Sequence, residues 1–219
     1  MKKILVYASG TRTAGGSGFE KLVENSLTGI LKAKIVGVMS NHESGGVSKI
    51  ARKYGIERCY FPGPYDAAEY QSHVNIFEPD LVVLSGWIKY ARGLDPKKTI
   101  NIHPGPLPYF GGQGMHGHHV HEKVMIAFEE GRIRYSAVSM HFVTEEDYDA
   151  GPLFFSYPVH IQQGCNAEIL GKEANKIEHA WQSYITNLVL EGKIKWDGNN
   201  PDSLVVPDYV PRIPILTSI

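Results

Sequence analysis

The sequence predicts an α/β fold: a doubly wound, mostly parallel sheet that ends in a C-terminal β-hairpin and a long helix. Three observations carry this expectation. Residues 3–8 (KILVYA), 33–40 (AKIVGVMS) and 81–84 (LVVL) are short, nearly continuous apolar runs, as expected of strands covered on both faces. Segments with helical spacing of apolar residues lie between them. The runs stop at glycines or small polar residues, and doubly wound sheets gather their ligands just beyond such strand ends.

Taken in order, the first strand leads into residues 9–18 (SGTRTAGGSG) and then into a helix over 19–31. Leu22, Val23, Leu27, Ile30 and Leu31 can form its apolar stripe. Strand, glycine-rich turn and helix can present backbone N–H groups to a phosphate. The spacing matches neither the dinucleotide fingerprint nor the P-loop, so a plain βα loop fits as well. The second strand ends at Asn41. A helix over 47–54 is closed by Gly55, a short strand covers 58–61, and Asp66 caps a helix to Phe77. The fourth strand stops at Ser85 and Gly86.

Residues 99–117 (TINIHPGPLPYFGGQGMHG) place Asn101 and His103 two apart, on one face of a strand. The Pro/Gly run behind them forces the chain into a loop. A helix follows over 118–129. Residues 136–144 and 152–161 read as extended segments pairing in a hairpin, with Asp149 near its tip. The last helix, 167–191, takes its apolar face from Ile169, Ala174, Ile177, Ala180, Trp181, Ile185 and Leu188. Beyond Gly192 there are prolines at 201, 207, 211 and 214 and no periodicity. The expected division is one domain, 1–192, with a tail, 193–219, packed on it or extending from it.

Composition narrows the function classes. The 219 residues carry a formal net charge of -1, with 42% hydrophobic and 21% charged residues. That balance suits a soluble globular chain and gives no electrostatic footprint for nucleic acid or an anionic membrane. No apolar run is long enough to span a bilayer or to serve as a signal peptide. Cys59 and Cys165 form no metal-type pair and read as reduced thiols of a cytoplasmic protein. His116, His118, His119 and His121 crowd one stretch, yet only His118 and His121 share a helix face, and no ligand set completes a metal site. They read as surface or capping histidines. No Gly-x-Ser-x-Gly elbow occurs, and neither cysteine has an activating context. An Asn, a His and an Asp at strand ends remain; such groups stabilise an oxyanion and move protons without a covalent intermediate. Taken alone, Asp149 reads equally as a solvated turn carboxylate.

Together, Asn101-Ile-His103-Pro104, Leu107-Pro108, His141-Phe-Val-Thr144 and Asp149-Ala-Gly-Pro152 resemble the formyltransferase domain of the glycinamide ribonucleotide transformylases. The likeness runs from Lys3 to Gly192 in the family's order, through Ser40-Asn41, Leu81-Val-Val-Leu-Ser-Gly86 and Glu178-His179. It implies a Rossmann-like formyltransferase fold. The formyl donor would be 10-formyltetrahydrofolate, and the acceptor the amine of glycinamide ribonucleotide in purine synthesis. Asn101 and a protonated His103 would donate hydrogen bonds to the oxyanion. Asp149 would orient His103, raise its pKa and help carry the proton.

By the same resemblance, Gly16, Ser17 and Gly18 would hold the phosphate. Gly86, Ile88, Pro104 and Glu178 would line the glycinamide side. The pterin would sit between Lys89-Tyr90-Ala91 and the loop from Val143 and Thr144 to Asp149. No metal is expected, the partners are small molecules, and a homodimer is left open. The chain departs from the family in three places. The first loop is longer, has Gly18 where Asn is usual, and offers Arg12 as an alternative charge. Gly105-Pro106 replaces Ser-Leu, and one extra turn residue makes Asp147 an alternative carboxylate. Sugar-nucleotide N-formyltransferase is the runner-up reading. A tRNA formyltransferase would carry a basic extra domain, a formyltetrahydrofolate hydrolase a preceding regulatory domain, and a non-catalytic folate-binding module would not need the three chemical residues.

Overall fold

A computed structural model describes residues 1–213, so Pro214 lies outside the described residues. The elements run β1 (Lys2–Tyr7), α1 (Ser17–Leu27), β2 (Ala33–Ser40), α2 (Gly46–Tyr54), β3 (Arg58–Tyr60) and α3 (Ala67–Phe77). Then come β4 (Leu81–Ser85), β5 (Thr99–His103), α4 (His118–Glu129), β6 (Tyr135–Phe142), β7 (Leu153–His160) and α5 (Ala167–Leu190). One seven-stranded sheet has the order β3-β2-β1-β4-β5-β6-β7. β1 to β5 pair in parallel, and β6 and β7 add antiparallel at one edge. The winding reverses between β1 and β4, which opens a crevice at their carboxyl ends.

Side-chain alternation along the strands divides the core in two. Ile4, Val6 and Ala8 face one layer, against α1, α2, α4 and α5. Leu5 and Tyr7 face the other, under α3, where Tyr7, Phe61, Tyr70 and Trp87 pack ring on ring. Asp66 caps α3 as expected, accepting from the Glu69 N–H at 3.0 Å.

Two helical expectations need correction. α1 stops at Leu27, and Leu27 and Ile30 are 68% and 57% exposed, so its buried stripe is Phe19, Leu22 and Val23. Leu31 is buried from the loop that follows. On α5, Ile169 and Ala180 are exposed, because the helix meets the sheet along only part of its length. The described residues after Gly192 pack back on the preceding elements. Trp196 is buried, its ring 5.9 Å from that of Phe142, and the Ser156 N–H of β7 donates to Pro211 at 2.9 Å.

Candidate active site

The crevice contains a cavity of about 630 Å³. Two hydrogen bonds lock the strand-end loops that frame it. The Ser9 N–H donates to the Gly86 carbonyl and the Ile88 N–H to Ser9 Oγ, both at 3.1 Å. Gly16, Ser17 and Gly18 line one end. Gly16 precedes α1 at a φ of 91°, and no side chain caps the helix. Gly18 brings α1 close to β4: a Cβ there would stand 2.7 Å from Ser85 Oγ, so a larger residue would have to turn that hydroxyl aside. Arg12, which is exposed, adds a cation to this end of the lining.

Asn101, His103 and Asp149 meet at the other end. β5 aims the first two inward, and the loop between β6 and β7 brings the third across the cleft. Asp149 holds a φ of 55°, a left-handed conformation that Asp tolerates better than most residues. Its Oδ1 accepts from Asn101 Nδ2 at 3.1 Å, and its Oδ2 accepts from the Gly112 N–H at 3.0 Å. His103 Nδ1 stands 3.6 Å from the same carboxylate. The other ring nitrogen, Nε2, lies 2.7 Å from the Phe110 carbonyl, which assigns the proton of the neutral ring to Nε2 and leaves Nδ1 bare. Asp147, the alternative carboxylate, is exposed and accepts from the next N–H.

His141 completes the cluster. It is 2% exposed, and its Nδ1 donates to the Phe142 carbonyl at 2.7 Å. Its Nε2 lies 3.1 Å from Asn101 Nδ2 and 3.3 Å from Asp149 Oδ1. Both N–H bonds of the Asn101 amide are therefore directed at protein acceptors. Burial pushes His103 down; Asp149 and the Phe110 carbonyl pull it up, and the net is below the usual 6.5. This corrects the expectation of a raised value: the ring is 3% exposed, and lost hydration outweighs one carboxylate. Burial pushes Asp149 up, but His141, His103 and the Gly112 N–H together carry it below the usual 3.8. At neutral pH the pair is a carboxylate beside a neutral imidazole.

A sequence profile described as formyl transferase matches residues 2–187. The chain belongs to the formyl transferase family. It is 32% identical over 206 residues to a chloroplastic phosphoribosylglycinamide formyltransferase of Arabidopsis thaliana, a match covering 89% of this chain and 68% of that protein. It is 26% identical over 200 residues to the Bacillus subtilis phosphoribosylglycinamide formyltransferase, covering 87% and 95%. The crystal structure of glycinamide ribonucleotide transformylase 1 from Symbiobacterium toebii superposes with a TM-score of 0.78 at 25% identity, covering 95% of each chain.

Within this formyl transferase, Gly86, Ile88, Pro104 and Glu178 are among the residues that line the cavity. Burial pushes Glu178 up to about 7, with the Asn175 amide, 3.3 Å away, pulling the other way. The five residues expected at the pterin do not line the cavity. Ala91 is buried in the α3-side core, and the Val143 N–H extends the sheet by donating to Thr99 at 2.9 Å. The gap between their segments is closed: Tyr90 Oη donates to the Glu145 carbonyl at 2.7 Å, and the Glu145 carboxylate accepts from Gly93. Tyr90 also packs on Tyr148 at 4.8 Å. Lys89 lies over the Tyr65 ring, and Thr144 joins a separate hollow beside Trp196.

Sequence reasoning quoted His141 only within a motif and gave it no role, and it missed Tyr148 and the α5 pair Asn175 and Gln182 on the cavity lining. His141 carried a signal, because its register partner across β5 and β6 is Asn101. The reading of the histidine cluster holds for His118 and His119, which are exposed and pair with Glu122. It fails for His121, which is 5% exposed. No helix among the described residues is long and apolar enough to cross a membrane.

Proposed function

We propose that the enzyme transfers the formyl group of 10-formyltetrahydrofolate to the amine of glycinamide ribonucleotide, by direct attack and without a metal. The observation that carries this reading is the Asn101–Asp149–His103 contact set at one end of a cavity whose other end is a glycine-rich helix start. The acceptor phosphate lies at Gly16, Ser17 and Gly18, with Arg12 at the rim, and Glu178 faces the glycinamide side.

The amine nitrogen bonds to the formyl carbon, the bond from that carbon to the folate nitrogen breaks, and one proton passes from amine to folate. Negative charge gathers on the formyl oxygen. Asn101 turns an N–H from Asp149 toward it, a donor worth a few kcal/mol at the transition state. His103 enters neutral, and its bare Nδ1 takes the amine proton. The imidazolium then stands against the Asp149 carboxylate, with the Phe110 carbonyl holding its Nε2–H, and gives the Nδ1 proton to the departing folate nitrogen. His141, anchored on Phe142, fixes Asn101. The folate approaches along Ile88 and Tyr148.

Formyl transfer from 10-formyltetrahydrofolate to purified glycinamide ribonucleotide tests the assignment. Turnover that His103→Ala and Asn101→Ala abolish supports it. Turnover only with an amino-sugar nucleotide moves the assignment to the runner-up acceptor.

A further inference from the structure

Of the three side chains in the chemistry above, only Asp149 stands on a loop. Asn101 and His103 are built into β5, whereas Asp149 follows β6 in a turn whose residues 145–147 are exposed. Its φ of 55° persists only where the surroundings hold it. On one side the Gly112 N–H holds the carboxylate. Among the described residues, the hydrogen bonds that leave residues 144–148 end on the loop between β4 and β5. The Glu145 carbonyl accepts from Tyr90 Oη at 2.7 Å, and the Glu145 carboxylate accepts from the Gly93 N–H. The Tyr148 ring, next to Asp149 in the chain, packs on the Tyr90 ring at 4.8 Å.

The loop between β4 and β5 is a firm anchor. Its Trp87, Ala91 and Leu94 are buried in the α3-side core. A Cβ on Gly93 would stand 2.7 Å from Ala67 Cβ, so the backbone there lies directly on α3. Tyr70 of α3, fully buried, accepts from Trp87 Nε1 at 2.8 Å and donates to the Tyr90 carbonyl at 3.1 Å, which uses its hydroxyl in both directions. Tyr90 is thus held at its backbone by the core and reaches outward with its own hydroxyl. Phenylalanine would fill the same seam between Tyr148 and the Arg92 guanidinium, which lies 4.8 Å from the ring centre. What the hydroxyl adds is a bond to the backbone of the turn that carries Asp149.

We propose that Tyr90 is a positioning residue for Asp149: its hydroxyl braces the turn after β6 against the α3-side core and keeps the carboxylate beside His103. The proposal rests on the role given to Asp149 above. Without the brace the turn spends part of its time with the carboxylate withdrawn, and the imidazolium formed in the reaction loses part of its support. His103 then feels less of the upward pull of Asp149, while His141 continues to oppose it.

Steady-state kinetics from pH 5 to 9 on wild type, Tyr90→Phe, Asp149→Asn and the double variant test this, with 10-formyltetrahydrofolate and glycinamide ribonucleotide as substrates. Tyr90→Phe should lower kcat roughly five- to tenfold, the loss of one hydrogen bond from a positioning contact. It should move the acid limb of kcat/KM to lower pH, as Asp149→Asn does but by less, and leave both KM values within about threefold. In the Asp149→Asn background the same change should cost less than about twofold in kcat and leave the limb where it is. Glu145→Ala, which removes only the exposed Gly93 arm of the brace, should repeat the pattern of Tyr90→Phe. A folded Tyr90→Phe with wild-type kcat and acid limb overturns the proposal. So does an effect confined to the folate KM or to stability, or a loss that adds in full to that of Asp149→Asn. If Tyr90→Phe does not fold, wild-type behaviour of Glu145→Ala overturns it. Wild-type kcat and acid limb in Asp149→Asn would instead overturn the role of Asp149 itself.

Discussion

Asp149→Asn is the sharpest test of the proposed chemistry, because it removes a charge at nearly constant volume. It gives up only one of the two hydrogen bonds that the carboxylate accepts from Asn101 and the Gly112 N–H. Asn fits the same volume and tolerates the left-handed φ of 55° that Asp149 holds, so the turn keeps its shape. What disappears is the carboxylate 3.6 Å from His103 Nδ1. When His103 takes the amine proton, an ion pair at that separation is worth about 4 kcal/mol at an effective dielectric of about 20. Part of this returns through the amide oxygen, which leaves a kcat lower by about 10²–10³-fold. KM values should stay within about threefold, and the melting temperature within about 3 °C.

The pH profile adds a second readout. His103 acts as a neutral base held below 6.5, so activity falls in acid as it protonates. Asp149 pulls that value up, so its removal moves the acid limb of kcat/KM to lower pH. Stopped-assay rates from pH 5 to 9 on both proteins measure this. A variant within about threefold of wild-type kcat, or an acid limb that does not move, refutes the reasoning.

Other sites give independent outcomes. Glu178 is raised from 4.5 to about 7, so the folded state binds its proton more tightly and wild type loses stability as pH rises through that window. Water in the cavity takes part of the effect, and Glu178→Gln should gain about 1–2 kcal/mol relative to wild type at pH 8 and nothing at pH 4, measured by urea unfolding. His121 is lowered from 6.5 to about 4, so wild type loses stability as pH falls from 6.5 toward 4. His121→Phe should flatten that acid slope; an unchanged slope would contradict a neutral buried ring. Trp196→Ala should cost about 3–5 kcal/mol, because the ring is buried in the main core. Wild-type stability in that variant would make the tail a dispensable appendage. A Cβ on Gly151 would fall 1.8 Å from the Phe142 carbonyl, so Gly151→Ala should cost at least about 3 kcal/mol or displace the Asp149 turn, seen as lost stability or lost kcat.

The fold was legible because its signals are local. Apolar runs such as 81–84 mark buried parallel strands, whereas the reversal between β1 and β4, where the β3-to-β4 crossover passes two strands, has no local signal. Errors arose where tertiary packing decides. Leu27 and Ile30 have the spacing of a buried stripe, but α1 ends before it carries them onto the sheet. The pterin placement came from the resemblance and not from a local signal, and Tyr90 Oη bridges its two segments by donating to the Glu145 carbonyl.

At the site, residue identity was readable and charge state was not. Asn101 and His103 share a strand face, and Asp149 sits in a hairpin turn; both follow from spacing. The charge on His103 depends on a competition that spacing does not encode. Removal of water lowers the imidazole value, and one carboxylate raises it; with 3% exposure and a contact of 3.6 Å, burial wins. The same competition separates histidines that look alike in sequence. His118 and His121 sit three residues apart on one helix, one exposed and paired with Glu122, the other stripped of water and partners. A neutral His103 changes the chemistry, since it makes the ring the receiver of the amine proton. The imidazolium is then formed by the reaction, at the moment its charge is useful, and Asp149 stabilises that state more than the resting one.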